Sequence, residues 1–255
     1  MVGRAVDFDA LSGNYDSLRG RSKERLLPWV ASVAEYADIR SSDKVIDIGC
    51  GTGRYTELFS GFCGTVVGID ASQGMIRQAS NSRRQGVDYL ISDALSMPFS
   101  QCSFDCAVMF MAVHLFTPEQ RRLLFECVSG ILKGGGRFVI LTESHARMRR
   151  SLWRHFPGLL DIDLHRFPDL ATLAGELKEA GFVTGRRFVR NDLGEVPTKN
   201  YLARVEGKML STFSLMTEEE FREGFDAFSG RICELYPETV PDYQEFVLVR
   251  GTRKV

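Results

Sequence analysis

The apolar positions of this chain fall into short unbroken runs separated by stretches with helical spacing. Lys44–Ile48 (KVIDI), Thr65–Ile69 (TVVGI) and Phe104–Phe110 (FDCAVMF) lack the alternation of a half-exposed strand and read as strands buried on both faces. Val87–Ile91 is a weaker strand, and Arg137–Thr142 (RFVILT) is a fifth. Helical stretches lie between them, from about Arg54 and from Ser72 to about Arg84. Another opens at Thr117-Pro118-Glu119-Gln120, where Thr is the N-cap, Pro suits the first helical position and Gln closes a capping box. Lys133-Gly134-Gly135-Gly136 reads as that helix's C-cap. Strand and helix alternating at this spacing predict parallel strands joined by right-handed crossovers in an open α/β sheet.

The last third changes pattern. A helix is expected over Pro168–Ala180, stopped by Gly181, and then a strand over Phe182–Val189. A long stretch from Asn191 to Asp242 precedes a final strand, Phe246–Arg250. Within it, Tyr201, Val205, Met209 and Phe213 share one helical face. Thr217–Glu220 forms a second capping box ahead of Phe221, Phe225, Phe228 and Ile232. This helical insertion reads equally as an extra layer on the sheet or as a lid over a substrate.

Composition narrows the class. The chain has 255 residues, 44% of them hydrophobic, and a net charge of −1, which excludes global disorder and argues against a broad basic footprint for nucleic acid. The longest uncharged apolar stretch, Cys106 to Phe116, is about half of what a bilayer span needs. The N-terminal residues lack an apolar signal core. The six cysteines form no paired metal-binding spacing and read as scattered thiols in a reducing compartment. The expectation is a cytoplasmic protein with a small-molecule partner, no membrane, no metal and an oligomeric state that the sequence leaves open.

Three glycines of the 24 stand apart. Gly49, Gly51 and Gly53 alternate with Cys50 and Thr52 directly after a buried strand and before a helix. Such a turn brings backbone close to a ligand at a helix start. A dinucleotide fingerprint would put its third glycine at position 54, which is Arg, and would not set Asp47 where pyrophosphate lies. Asp47 suits a cation such as an amino-acid ammonium. Asp70 ends the second strand, where acids take ribose hydroxyls. Asp93 follows the third strand, where its carboxylate can accept from an adenine amino group while the Ala94 N–H donates to the ring. An ammonium, a ribose and an adenine without phosphate describe S-adenosylmethionine.

The stretches VIDIGCGTGRYT (45–56), VVGIDASQGMI (66–76), DYLISDALSMPFSQCSFDCAVM (88–109) and LKGGGRFVI (132–140) resemble class I S-adenosylmethionine-dependent methyltransferases of the small-molecule type that includes quinone-biosynthesis C-methyltransferases. The resemblance implies a Rossmann-like sheet of seven strands in order 3-2-1-4-5-7-6, with strand 7 antiparallel. It implies one methyltransferase domain over 1–255: an N-terminal helical cap at 1–40, a cofactor core at 41–142 and the insertion at 191–242 as substrate lid. Carried over by position, Asp47, Gly49, Cys50, Gly51 and Gly53 line the methionine end. Asp70 and Ala71 face the ribose, Met75 packs on the adenine, and Asp93 and Ala94 read its edge. Met109 and Phe110 offer a carbonyl to the ammonium, and Tyr15 and Arg19 close over the cofactor.

The expected chemistry is in-line methyl transfer to a small organic acceptor, leaving S-adenosylhomocysteine. His114, just past the fourth strand, is the candidate base, and here the resemblance is imperfect because Leu115 stands where a second histidine often follows. Glu143 and His145 follow the fifth strand at the same sheet edge and are candidate substrate contacts, as are Tyr201, Met209 and Phe213 of the insertion. Two alternatives stand beside this reading: a cofactor-binding homologue without turnover, in a regulatory role, and an NAD(P)-dependent reductase.

Overall fold

A computed structural model describes residues 6–14, 16, 22–81 and 85–255. Tyr15 and Arg19 lie outside the described residues. Seven strands form one sheet: β1 (Lys44–Ile48), β2 (Thr65–Asp70), β3 (Val87–Ile91), β4 (Phe104–Phe110), β5 (Leu132–Thr142), β6 (Phe182–Pro197) and β7 (Thr239–Arg253). Their order is β3-β2-β1-β4-β5-β7-β6. The first five run parallel, and β7 is antiparallel to both of its neighbours.

The unbroken apolar runs have the cause that the sequence suggests. Val45, Val66, Cys106, Val108 and Phe110 pack on one face with Trp29, Val30 and Val33 of the helix Lys23–Tyr36. Ile46, Ile48, Ala107 and Met109 face the other way, into a core with Leu124, Phe125 and Val128 of the helix Pro118–Ile131 and Leu173 and Leu177 of the helix Leu170–Glu179. Adjacent residues on one strand serve opposite cores, so neither can be polar. Among the described residues, no helix is long and apolar enough to cross a membrane. All six cysteines are free thiols, with Cys50, Cys63 and Cys106 buried.

Several boundaries moved. The helix behind Thr117 keeps its capping box, with the Gln120 N–H donating to the Thr117 hydroxyl at 3.3 Å and the Thr117 N–H to Gln120 Oε1 at 2.9 Å. Its end is different: it stops at Ile131, and the glycines 134–136 lie inside β5 rather than capping the helix. The register against β4 jumps from Phe104↔Leu132 to Cys106↔Arg137. The extra residues form a bulge, and Gly135, at φ +73°, supplies the left-handed turn that it needs. The helix expected from Arg54 reduces to Thr56–Phe59. The Ser72 helix runs over Gln73–Asn81, with residues 82–84 outside the described set.

The insertion is shorter at both ends than its sequence limits, because β6 and β7 pair far beyond the sheet, out to Pro197↔Thr239. On that long hairpin stand the helix Thr198–Glu206, a 3-10 turn at Ser211–Leu215 and the helix Glu218–Leu235. They share a third core with residues after β5, in which Phe156 and Leu159 meet Val205, Phe213, Phe221, Phe228 and Ile232. Trp153 stacks on Phe228 at 5.5 Å, and Phe156 meets Phe213 at 5.0 Å. A Cβ at Gly224 would fall against the Phe156 ring. Gly224→Ala is therefore expected to destabilise the insertion by about 1–3 kcal/mol despite the better helix propensity of alanine. Thermal unfolding checks this, and an unchanged or raised midpoint would contradict the packing described.

Candidate active site

The turn after β1 needs its glycines. Gly49, Gly51 and Gly53 have φ of +71°, +55° and +76°, a region that side chains bearing a Cβ rarely adopt. The Gly49 and Cys50 N–H groups donate to the Ile69 carbonyl at 2.8 and 2.9 Å, tying the turn to β2. The Gly51 N–H donates to Asp70 Oδ2 at 2.9 Å, and the Ser72 N–H donates to Asp70 Oδ1 at 2.9 Å. Each carboxylate oxygen of Asp70 keeps a second lone pair for an outside donor. Burial pushes the Asp70 pKa upward against these two N–H groups.

Asp47 is the most constrained acid of the site. It is 1% exposed, and its Oδ2 accepts from the Thr56 hydroxyl at 2.6 Å. Its Oδ1 is buried with no hydrogen-bond partner among the described residues. Burial pushes its pKa up to about 7, with the Asp70 charge adding to the shift and the Thr56 hydroxyl opposing it. A buried carboxylate oxygen left unpaired is costly unless a donor arrives, and a cation is the best donor for it. Asp93 Oδ1 accepts from the Leu95 N–H at 2.9 Å, beside Ala94.

One cleft of about 2040 Å³ runs over the carboxyl ends of β1–β4 and under the insertion. Asp47, Gly49, Cys50, Gly51, Asp70, Ala71, Met75, Asp93, Ala94 and Phe110 all line it. So do His114, Glu143, Tyr201 and Met209. Four expected residues do not. Gly53 is turned toward Tyr89, whose ring occupies the place of a Cβ there. Met109 is fully buried in the core on the opposite face from Phe110, as strand alternation requires. His145 is held away by Nε2, at 2.8 Å from the Phe167 carbonyl oxygen. Phe213 is fully buried in the core of the insertion.

The cleft has further lining residues that the sequence pattern does not mark. Tyr55 stacks on Phe110 at 4.3 Å and 11°, walling the floor beneath the glycine turn. Met111 adopts φ +49°, an uncommon value for a side chain of its size, as the chain leaves β4. Residues 6–9 also line the cleft: Asp9 Oδ1 accepts from the Ser72 hydroxyl and from the Gly74 N–H, both at 2.7 Å. None of these contacts is local in sequence. A signal was available only for Tyr55, in the GTGRYT stretch.

Residues 46–140 match the model of a family described as a methyltransferase domain. A demethylmenaquinone methyltransferase of Paenarthrobacter aurescens is 31% identical over 59% of this chain, and the match spans 58% of that relative's length. An uncharacterized methyltransferase of Synechocystis is 31% identical over 59% of this chain and 72% of its own. The chain belongs to the class I S-adenosylmethionine-dependent methyltransferases. A putative methyltransferase from an antibiotic biosynthesis pathway of Anabaena variabilis has the same fold, with TM-score 0.68 and 20% identity over 88% of this chain and 96% of that one.

The rest of the cleft lining carries a different chemistry. His114 is 9% exposed and stacks on Phe167 at 4.0 Å and 16°. Glu143 pairs with Arg147 at 2.7 Å. From the insertion side come Tyr201 and Arg204, and from β7 come Asp242 and Gln244. Burial pushes the Tyr201 hydroxyl well above its ordinary pKa, so it stays protonated and can donate.

Proposed function

We propose that the chain is an S-adenosylmethionine-dependent methyltransferase acting on a small organic acceptor held beneath the insertion. The observation that carries this reading is that three strand-end carboxylates, Asp47, Asp70 and Asp93, open on the same cleft as the acceptor-side residues. The unpaired Oδ1 of Asp47 fits the ammonium of the methionine end. Asp70 would accept from the ribose hydroxyls, and Asp93 with the Ala94 N–H would read the adenine edge. Met75, 1% exposed and lining the cleft, would pack on the ring. When bound, the cofactor supplies a methyl group on a sulfonium, which is an already activated leaving group.

The work left to the protein is alignment and exclusion of water. Residues of the insertion and of the segment after β5 border the cleft, and over a bound acceptor they would limit the access of water. His114, which lines the cleft, would take a proton where the acceptor must lose one. Glu143 is engaged by Arg147, which makes it a positioning group for the wall rather than a free base.

Calorimetric titration with S-adenosylhomocysteine and with NADH tests the reading. Wild type is expected to bind the former and not the latter, and Asp70→Ala to bind S-adenosylhomocysteine at least tenfold more weakly. Failure of wild type to bind S-adenosylhomocysteine would end the proposal. Binding without turnover across a panel of acceptors would favour a non-catalytic homologue.

A further inference from the structure

We infer that the acceptor end of the cleft recognises an organic carboxylate, with Arg204 as the group that receives it. This deepens the methyltransferase reading and rests on it. The apolar part of the lining away from the three acids includes Leu152, Trp153, Met209, Met216 and Phe246. Into this lining project the side chains of Arg147, Tyr201, Arg204, Asp242 and Gln244. An apolar body with one polar head fits such a surface.

The charges show which head it is. Arg147 is neutralised by Glu143 at 2.7 Å. Asp242 is held by Arg25 at 3.2 Å, while Arg204 reaches that same oxygen only at 4.0 Å. Arg25, Arg147 and Arg204 thus share two carboxylates, and among the described residues Arg204 has the longest of the three contacts. Its Nε is buried with no hydrogen-bond partner among the described residues. Among the described residues, Gln244 Oε1 and Asp242 Oδ2 are likewise buried without a hydrogen bond, so the wall around Arg204 is incompletely satisfied as it stands. A guanidinium presents parallel N–H donors that match the two oxygens of a carboxylate. Tyr201, protonated, adds a neutral donor in the same lining. A cationic head would meet the guanidinium itself, and a neutral carbonyl would take a single N–H where a carboxylate takes two.

The proposed carboxylate is a recognition handle; it identifies the acceptor class without making that carboxylate the methylated atom. The test uses the protein saturated with S-adenosylhomocysteine. A panel of alkyl and aryl carboxylates, among them decanoate and 4-phenylbutyrate, is titrated against the matched neutral amides and against phosphate monoesters of similar size. Carboxylates are expected to bind at least tenfold more tightly than their amides. Arg204→Gln is expected to remove that preference while leaving S-adenosylhomocysteine affinity unchanged, and Arg204→Lys to retain part of it. Equal affinity for acids and amides across the panel, a preference for phosphate monoesters, or an Arg204→Gln variant that still prefers carboxylates would overturn the inference. Loss of S-adenosylhomocysteine binding by wild type is a different failure, since it removes the methyltransferase reading itself.

Discussion

Asp47→Asn is expected to weaken S-adenosylhomocysteine binding by roughly 100-fold, the result of losing about 3 kcal/mol of charge-assisted contact in a buried site. The size follows from the position of Asp47, which is 1% exposed with one carboxylate oxygen unpaired. The same geometry sets a pH dependence. The carboxyl ionises at about 7 in the ligand-free protein, and a cation binds the ionised form. Wild-type affinity should therefore be level above pH 7 and fall toward tenfold per unit below it, whereas the Asn variant should lack this limb. Stability runs in the opposite direction. A carboxyl whose folded pKa is raised above its ordinary 3.8 contributes stability that is fully present below pH 4 and is lost as pH rises through 7. The ligand-free protein loses this contribution across that interval, and ligand restores it. Calorimetry and thermal melts from pH 5.5 to 8.5 read both effects. A variant with unchanged affinity and an unchanged pH profile would remove Asp47 from the site.

The second large effect lies at the edge of the cleft. Arg121→Ala is expected to destabilise the protein by about 3–5 kcal/mol, lowering the thermal midpoint by roughly 10 °C. Arg121 donates from Nε and Nη2 to the two oxygens of Glu176, both at 2.7 Å, with the two side chains 5% and 6% exposed. Its Nη1 also donates to the Phe116 carbonyl at 3.0 Å. The pair ties the helix after β4 to the helix before β6 and anchors the segment that carries His114. Removing one partner strands the other charge in the interior. Replacing both, as in Arg121→Met with Glu176→Leu, is expected to recover most of the loss. A double variant no more stable than Arg121→Ala would show that the arginine acts through something other than this pair.

These two sites differ in how far the sequence revealed them. Asp47 stood out because its neighbours made a pattern: a buried strand, alternating glycines and a following helix. Arg121 carried no such signal. It directly follows a capping box, on the buried face of its helix, and its partner is 55 positions away. Arg204 is the same kind of residue, since its importance rests on a buried unpartnered nitrogen that only packing creates. The glycines 134–136 show the opposite failure. Their local meaning was a helix stop, and pairing with β4 overrode it by using the same residues as a bulge.

What the sequence determined by itself is the sheet and its cofactor edge. Strands buried on both faces must be continuously apolar, and a ligand approaching backbone must meet glycine, so both leave marks that are local and periodic. Strand identities, their alternation with helices and the acids at the ends of β1, β2 and β3 were legible for that reason. The order 3-2-1-4-5-7-6 came from family resemblance, and the register of β7 between β5 and β6 came only from the structure. The tertiary structure alone decided which neighbours on a strand face the cleft, as Phe110 does and Met109 does not. It decided that Phe213 and His145 turn away, that residues 152–159 join the insertion in one core, and that Arg204 meets Asp242 only at 4.0 Å. Each of these depends on contacts between segments distant along the chain, where side-chain direction and charge pairing are set by packing and carry no periodic trace.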